Sequence, residues 1–252
     1  MKIKKGETEF KRLMNIGKKQ KQNPWRNTRQ DFEMPWNDIW ASIFMAILPI
    51  MIILLASNFV IRYSGFYSFY MSKTEIIREI PYEIESEDIT KTFSNYMLHK
   101  TDKFQLEEKS DYQPQQVFTQ RADEIMHTYR TIADVTLIIG VLLLIASVAI
   151  VLYLINQKEK KLIFDSFKTS WIWYGALVIL DAIVFLVPAI REIIFRQMFG
   201  VRFQPGDVLI QLLENQLPAY FCGWQIAATL VLMLAITYSI SKLFGRRKMF
   251  KA

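Results

Sequence analysis

The chain has 252 residues, of which 52% are hydrophobic and 14% aromatic, yet 22% are charged and the formal net charge is +7. That mixture excludes a disordered chain, and also a soluble domain with evenly spread apolar residues. A single cysteine, Cys222, excludes an intramolecular disulfide and a cysteine-based metal cluster, and neither a metal nor a cofactor is expected.

Residues 1–38 form a basic tail with ten Lys or Arg against five Asp or Glu. Its runs "KIKK" and "KKQK", like "GRRK" near the other end, suit anionic headgroups. Membrane lipids are therefore the expected partners, and nucleic acid is not. From Ile39 to Val60 the chain carries no charge, which is the length a helix needs to cross about 30 Å of hydrocarbon. A long tail precedes this run and no small-residue cleavage pattern follows it, so a retained span over 39–62 is predicted rather than a signal peptide. Trp25, Trp36 and Trp40 are placed to anchor its entry at the interface.

Residues 63–129 follow as a first segment outside the membrane. "YSGFYSFY", 63–70, is aromatic enough to lie at the headgroup level. "TEIIREIPYEI" is ambiguous between an extended stretch and a helix end stopped by Pro81. In "SEDITKTFSNYMLHK", Ser86 can cap and Glu87 and Asp88 suit the positive end of the dipole. Ile89, Phe93, Tyr96 and Met97 repeat at helical spacing. This predicts a short amphipathic helix whose apolar face rests on the bilayer or on other protein, with His99 and Lys100 complementing its C-terminus. Residues 100–117 read as an exposed loop. In "QRADEIMHTYRTIADV", His127, Arg130 and Asp134 fall at i, i+3 and i+7 on one helical face, and Arg130 and Asp134 have ion-pair spacing. Three titratable groups at the lip of a span predict a polar cluster facing other protein.

A second span is predicted over 130–155 and a third over 171–191, with Trp171, Trp173 and Tyr174 at the start of the third. Asp181, halfway along it, is an intramembrane carboxyl and a candidate helix-contact or assembly residue. In the second outer segment, 192–218, Gly200 can stop a helix, Pro205-Gly206 can turn, and Asp207 can cap a short helix carrying Val208, Leu212 and Leu213. Pro218 can open the fourth span, 219–241, before the basic tail 243–252. Cys222, near the outer end of that span, reads as inert packing.

Charge sets the orientation. The connector 156–169 holds four basic and two acidic residues and the end 242–252 holds five and none, whereas 62–131 holds nine and twelve and 191–218 three of each. Positive segments stay cytoplasmic. The expectation is an all-α membrane protein of the cell membrane with four transmembrane helices, both termini inside. Its two extracytoplasmic segments contain short amphipathic helices on a membrane domain spanning 39–242.

Two motifs resemble those of the Gram-positive integral membrane family that contains the lipoprotein intramolecular transacylase. One is Phe118 followed nine residues later by His127 at the outer start of the second span. The other begins at Ile190 and Arg191 and continues through "EIIF", Pro205, Asp207, Ile210, Leu217, Pro218, Tyr220 and Phe221. The resemblance covers about 39–242 and departs at two places: a family histidine falls on Arg191, and a frequent aspartate falls on Arg130. It implies transfer of an acyl chain at the outer leaflet, from a diacylglyceryl-cysteine to that cysteine's α-amino group, with lipoproteins or another membrane protein as partners. His127 is then the base and Arg191 the charge stabiliser, with Arg130, Asp134 and Glu192 in a polar cluster beside them. A guanidinium stays protonated and cannot shuttle a proton as a histidine can, so a non-catalytic adaptor or binding subunit on the same scaffold is the alternative. A transporter is weaker, because no span is interrupted by Gly/Pro-rich breaks.

Overall fold

The computed structural model describes residues 36–74, 77–78, 80, 82–108, 115–199, 208–214 and 216–245, without the side chains of 194–199, 210–211, 214 and 243–245. The described residues are helical almost throughout: α1 (Trp36–Arg62), α2 (Ser64–Lys73), α3 (Ser86–Met97), α4 (Gln120–Asn156), α5 (Lys160–Leu186), α6 (Pro188–Phe199), α7 (Val208–Glu214) and α8 (Leu217–Gly245). The chain divides into units 1–39 and 40–252, and of the first only 36–39, the opening turn of α1, is described.

Four helices, α1, α4, α5 and α8, are long and apolar enough to cross a membrane. On α4, Ile138, Leu142, Ile145 and Leu152 recur at helical spacing and each is about 60% exposed. A continuous apolar stripe of that kind is untenable in water and natural against lipid tails. The chain is a multi-pass integral membrane protein. Inside the bundle, Phe44, Leu48, Met51 and Ile52 of α1 pack with Ile150 and Leu154 of α4, Ile163 and Phe167 of α5 and Met233 of α8. α5 and α8 run antiparallel along a stripe with three matched contacts. Phe185 meets Phe221 at 5.2 Å between ring centroids, Gln225 hydrogen-bonds Asp181, and Tyr174 donates to Thr229 at 2.8 Å. Asp181 thus serves a helix-to-helix contact within the chain.

A second core, rich in aromatics, forms a cap on one end of the bundle, where α1 ends and α8 begins. Phe66, Tyr67 and Tyr70 of α2, Ile89, Phe93, Tyr96 and Met97 of α3, Phe118 before α4, and Val208, Leu209 and Leu212 of α7 are all buried in it. The "YSGFYSFY" stretch is therefore mostly a helix with a buried face, and Tyr70 Oη donates to the Leu212 carbonyl at 3.1 Å to tie α2 to α7. The apolar face of α3 rests on this core. Glu85, whose side chain makes no capping bond, holds the N-cap position of α3, and Ser86 is its first helical residue.

The described residues of the loop 100–117 are mostly exposed, but Phe104 and Val117 are buried and tie it to the cap. Phe104 is fully buried, 4.9 Å from Phe93, 5.4 Å from Tyr96 and 4.5 Å from Phe118. A short antiparallel bridge joins Glu107 to Gln116. The apolar side chain of Phe104 outweighs the polar residues around it, because burying an aromatic ring contributes about 2 kcal/mol. In "TEIIREIPYEI" the described residues show one 3₁₀ turn at 77–78 and a buried Ile80.

The second and third spans lie on helices longer than the apolar runs themselves. α4 begins at Gln120, with Thr119 capping the Ala122 N–H at 3.2 Å, so its first turns line the cap before the helix enters the bilayer region. The third span stops at Leu186: Pro188 has no N–H to continue the ladder, and α6 restarts there. Gly200, Pro205, Gly206 and Asp207 lie outside the described residues, as does the side chain of Ile210.

Candidate active site

Three helix ends meet at the cap. α1 contributes Asn58 and Arg62, one turn apart on one face, α4 contributes Asp134, and the turn after α3 contributes His99. α3 closes with the Lys100 N–H bonding the Asn95 carbonyl at 2.9 Å and the His99 N–H bonding Tyr96 at 3.1 Å, which is a Schellman motif. His99 occupies its left-handed position with φ of 58°, where glycine is the usual choice.

From there the His99 ring reaches Asp134. Its Nε2 lies 3.0 Å from Oδ2 and 3.1 Å from Oδ1. Arg62 Nη2 donates to the same carboxylate at 2.6 Å, and its Nη1 donates to Asn58 Oδ1. Side-chain exposure rises along the row, 15% at Arg62, 33% at Asp134 and 51% at His99, so the cluster is rooted in the protein and opens at the histidine. An aspartate at the lip of a span is costly unless paired, and Arg62 supplies the counter-charge.

The carboxylate accepts only, so Nε2 is the donor in its contact with the His99 ring and the neutral form would keep its lone pair on Nδ1. Below the cluster is a groove of about 380 Å³ lined by Leu55, Asn58, Phe59, Arg62, Tyr63, Leu98 and Leu137. It joins an apolar slot to a charged rim, a form suited to a molecule with an acyl chain and a polar head.

Arg130 supports the turn that carries His99. Its guanidinium lies 4.4 Å from the centroid of the Tyr96 ring and donates to the carbonyls of Tyr96 at 3.3 Å and Thr101 at 3.1 Å, on either side of the histidine. The spacing that suggests an Arg130–Asp134 pair is satisfied otherwise: Asp134 accepts from Arg62 and His99, and Arg130 donates to backbone carbonyls. Tyr96 itself is fully buried with no partner for its hydroxyl, and burial pushes its phenol up, Arg130 opposing the shift and Asp123 adding to it. Burial also pushes the Tyr67 phenol well above its ordinary range, where Tyr129 adds to the effect and Arg62 works against it. Tyr67 donates to the Ile61 carbonyl at 2.6 Å, fixing α2 against the end of α1.

The other expected site residues stand apart from this cluster. His127 is exposed on α4, and none of the bonds made by His99, Asp134 or Arg62 reaches it. Arg191 is half-buried in the first turn of α6 with Glu192 exposed beside it, and none of the bonds made by His99, Asp134 or Arg62 reaches either. Asp181 belongs to the α5–α8 seam. Arg62, Asn58 and Tyr63 were not singled out from the sequence, and His99 was read as a helix end. The signal available for Arg62 was a lone cation closing the first span, within reach of a carboxylate opening the second.

No protein-family profile matches the chain, and no curated protein matches it in sequence. Among solved structures, it is similar to the in meso structure of the membrane integral lipoprotein intramolecular transacylase Lit from Bacillus cereus, in a form carrying a histidine-to-arginine substitution. The TM-score is 0.58 at 13% identity, with 84% of this chain and 94% of that chain covered. At that identity the likeness is one of fold.

Proposed function

We propose that this protein transfers an acyl chain at the outer leaflet of the cell membrane, taking it from a lipid-modified cysteine to an amine, with both termini in the cytoplasm. The observation that carries the reading is the His99–Asp134–Arg62 cluster above an apolar groove, on a scaffold similar in fold to a lipoprotein transacylase. The base in this reading is His99 and not His127, because His99 is the histidine with an orienting carboxylate.

The chemistry is an ester aminolysis. His99 Nδ1 takes a proton from the incoming amine, the amine nitrogen bonds to the ester carbonyl carbon, and the tetrahedral oxyanion forms beside the positive charge of Arg62. When the C–O bond breaks, His99 returns the proton to the leaving alkoxide, so the residue ends as it began. Leu55, Phe59 and Leu137 offer the apolar wall an acyl chain needs.

The test is expression in a host lacking N-terminal lipoprotein acylation, followed by mass spectrometry of its lipoproteins. A lyso form with a newly acylated α-amine, lost in His99→Gln, is the expected result. A lyso form lost in His127→Gln but kept in His99→Gln returns the base to position 127. Absence of the product from a well-expressed protein overturns the enzyme reading. It then favours a binding subunit, which the Arg191 departure supports, since an arginine at that position cannot relay a proton. A reporter fused after Asp111 tests the topology separately, and labelling only from the cytoplasmic side overturns it.

A further inference from the structure

Asn58 is 2% exposed, within the span of α1, and its side chain is fully engaged. Nδ2 donates to the Leu54 carbonyl at 3.0 Å and to Thr136 Oγ1 at 3.1 Å, while Oδ1 accepts from Arg62 Nη1. A buried amide with every bond made is held firmly. The direction of those bonds is also fixed. Thr136 has one hydroxyl hydrogen, which it gives to the carbonyl of Ile132 at 2.9 Å or of Ala133 at 3.0 Å. Toward Asn58 it can only accept, so the amide group facing it is NH2 and the amide oxygen faces Arg62.

We propose that Asn58 is a positioning residue for His99, acting through Arg62 and Asp134 to set which nitrogen of the imidazole carries the proton. Asn58 holds one arm of the guanidinium, which aims the other at Asp134 Oδ1. Asp134, with part of its charge compensated, keeps one tautomer of His99 by accepting from Nε2. In the order Thr136, Asn58, Arg62, Asp134, His99 each link pairs a donor with an acceptor, Arg62 donating to both neighbours and Asp134 accepting from both, and the row joins α4, α1 and the α3 turn. The charged groups around the imidazole are Asp134 and Arg130 from α4, Arg62 from α1 and its neighbour Lys100. Asn58 is an uncharged polar side chain that links Arg62 to the interior through Leu54 and Thr136. This inference rests on His99 as the base, but the arrangement it describes is read out without any activity.

The chain has only two histidines. In a His127→Gln background, 15N-histidine NMR of the full-length protein in nanodiscs reports His99 alone. The neutral ring is expected in the Nε2–H form. Asn58→Asp places a carboxylate that competes with Asp134 for Arg62 and cannot donate to Thr136. Asp134 is then less compensated, and the 15N shifts of the His99 ring are expected to move from their wild-type values. Asn58→Leu keeps the volume but frees Arg62, and a mixed tautomer population is expected. Asn58→Gln tests whether an amide of different reach restores part of the wild-type signature. If Asn58→Asp and Asn58→Leu fold with normal circular dichroism and leave both the tautomer and the ring 15N shifts unchanged, the proposal is overturned even if lipoprotein acylation is observed. If the NMR shifts occur while no acylation is ever seen, the positioning role stands and the enzymatic reading alone fails.

Discussion

Replacing His99 by glycine separates its two roles. A non-glycine residue in the left-handed region costs about 1 kcal/mol relative to glycine. Against this, the contact with Asp134 is worth about 0.5 kcal/mol, since the ring is half exposed and its partner is already paired with Arg62. His99→Gly is thus expected to be as stable as wild type or slightly more so, whereas His99→Ala loses the contact and keeps the strain. The two variants should differ by about 1 kcal/mol, or roughly 3 °C in Tm. Lys158 supplies an internal control. It closes α4 with φ of 63° and the same pair of bonds, Glu159 N–H to Leu154 at 3.0 Å and Lys158 N–H to Ile155 at 3.0 Å. Lys158→Gly should show the same gain over Lys158→Ala by thermal unfolding in detergent. Its acylation of lipoproteins should persist, while both His99 variants lose it. If His99→Ala proves as stable as His99→Gly, the cap argument fails. Product formation by His99→Gly refutes the assignment of the base.

Other perturbations follow from the packing. Tyr96→Phe removes a buried hydroxyl with no partner and is expected to gain about 1 kcal/mol at neutral pH, measured by denaturant titration. The folded phenol of Tyr96 titrates above its unfolded value of 10.0, so the wild type loses stability as pH rises past about 10, where only the unfolded chain ionises; the loss should be shallower in Tyr96→Phe. Gly140 lets α4 approach α1, and a Cβ there would meet Leu55 Cδ2 at 3.0 Å. Gly140→Leu should therefore cost about 2 kcal/mol and disturb the His99 NMR signal one turn along, through the Thr136–Asn58 bond. Asp181→Asn keeps a partner for Gln225 and should be tolerated. Asp181→Leu leaves that amide unsatisfied between α5 and α8 and should lower Tm by several degrees.

Hydrocarbon imposes its requirement on nearly every residue of a span, so the four spans are legible from long apolar runs almost free of charge, Pro188 excepted as an early stop. The cap was legible only in pieces. The spacing of Ile89, Phe93, Tyr96 and Met97 announced a buried helix face, but Phe104 shows no periodicity, and its burial depends on rings contributed by α3 and by Phe118. The site was least legible because its members are far apart in sequence: Arg62 and Asp134 are 72 residues apart and His99 and Asp134 are 35. Local spacing favoured Arg130 as the partner of Asp134, and pairing on one helix face is worth only a few tenths of a kcal/mol. A cation from a neighbouring span competes better, since Arg62 is nearly buried and has few other places to put its charge. At the lip of a membrane helix, then, a charged residue closing one span is a stronger guide to the partner of a carboxylate opening the next than i,i+4 spacing is. The histidine that meets that pair is the one the intervening cap returns to it.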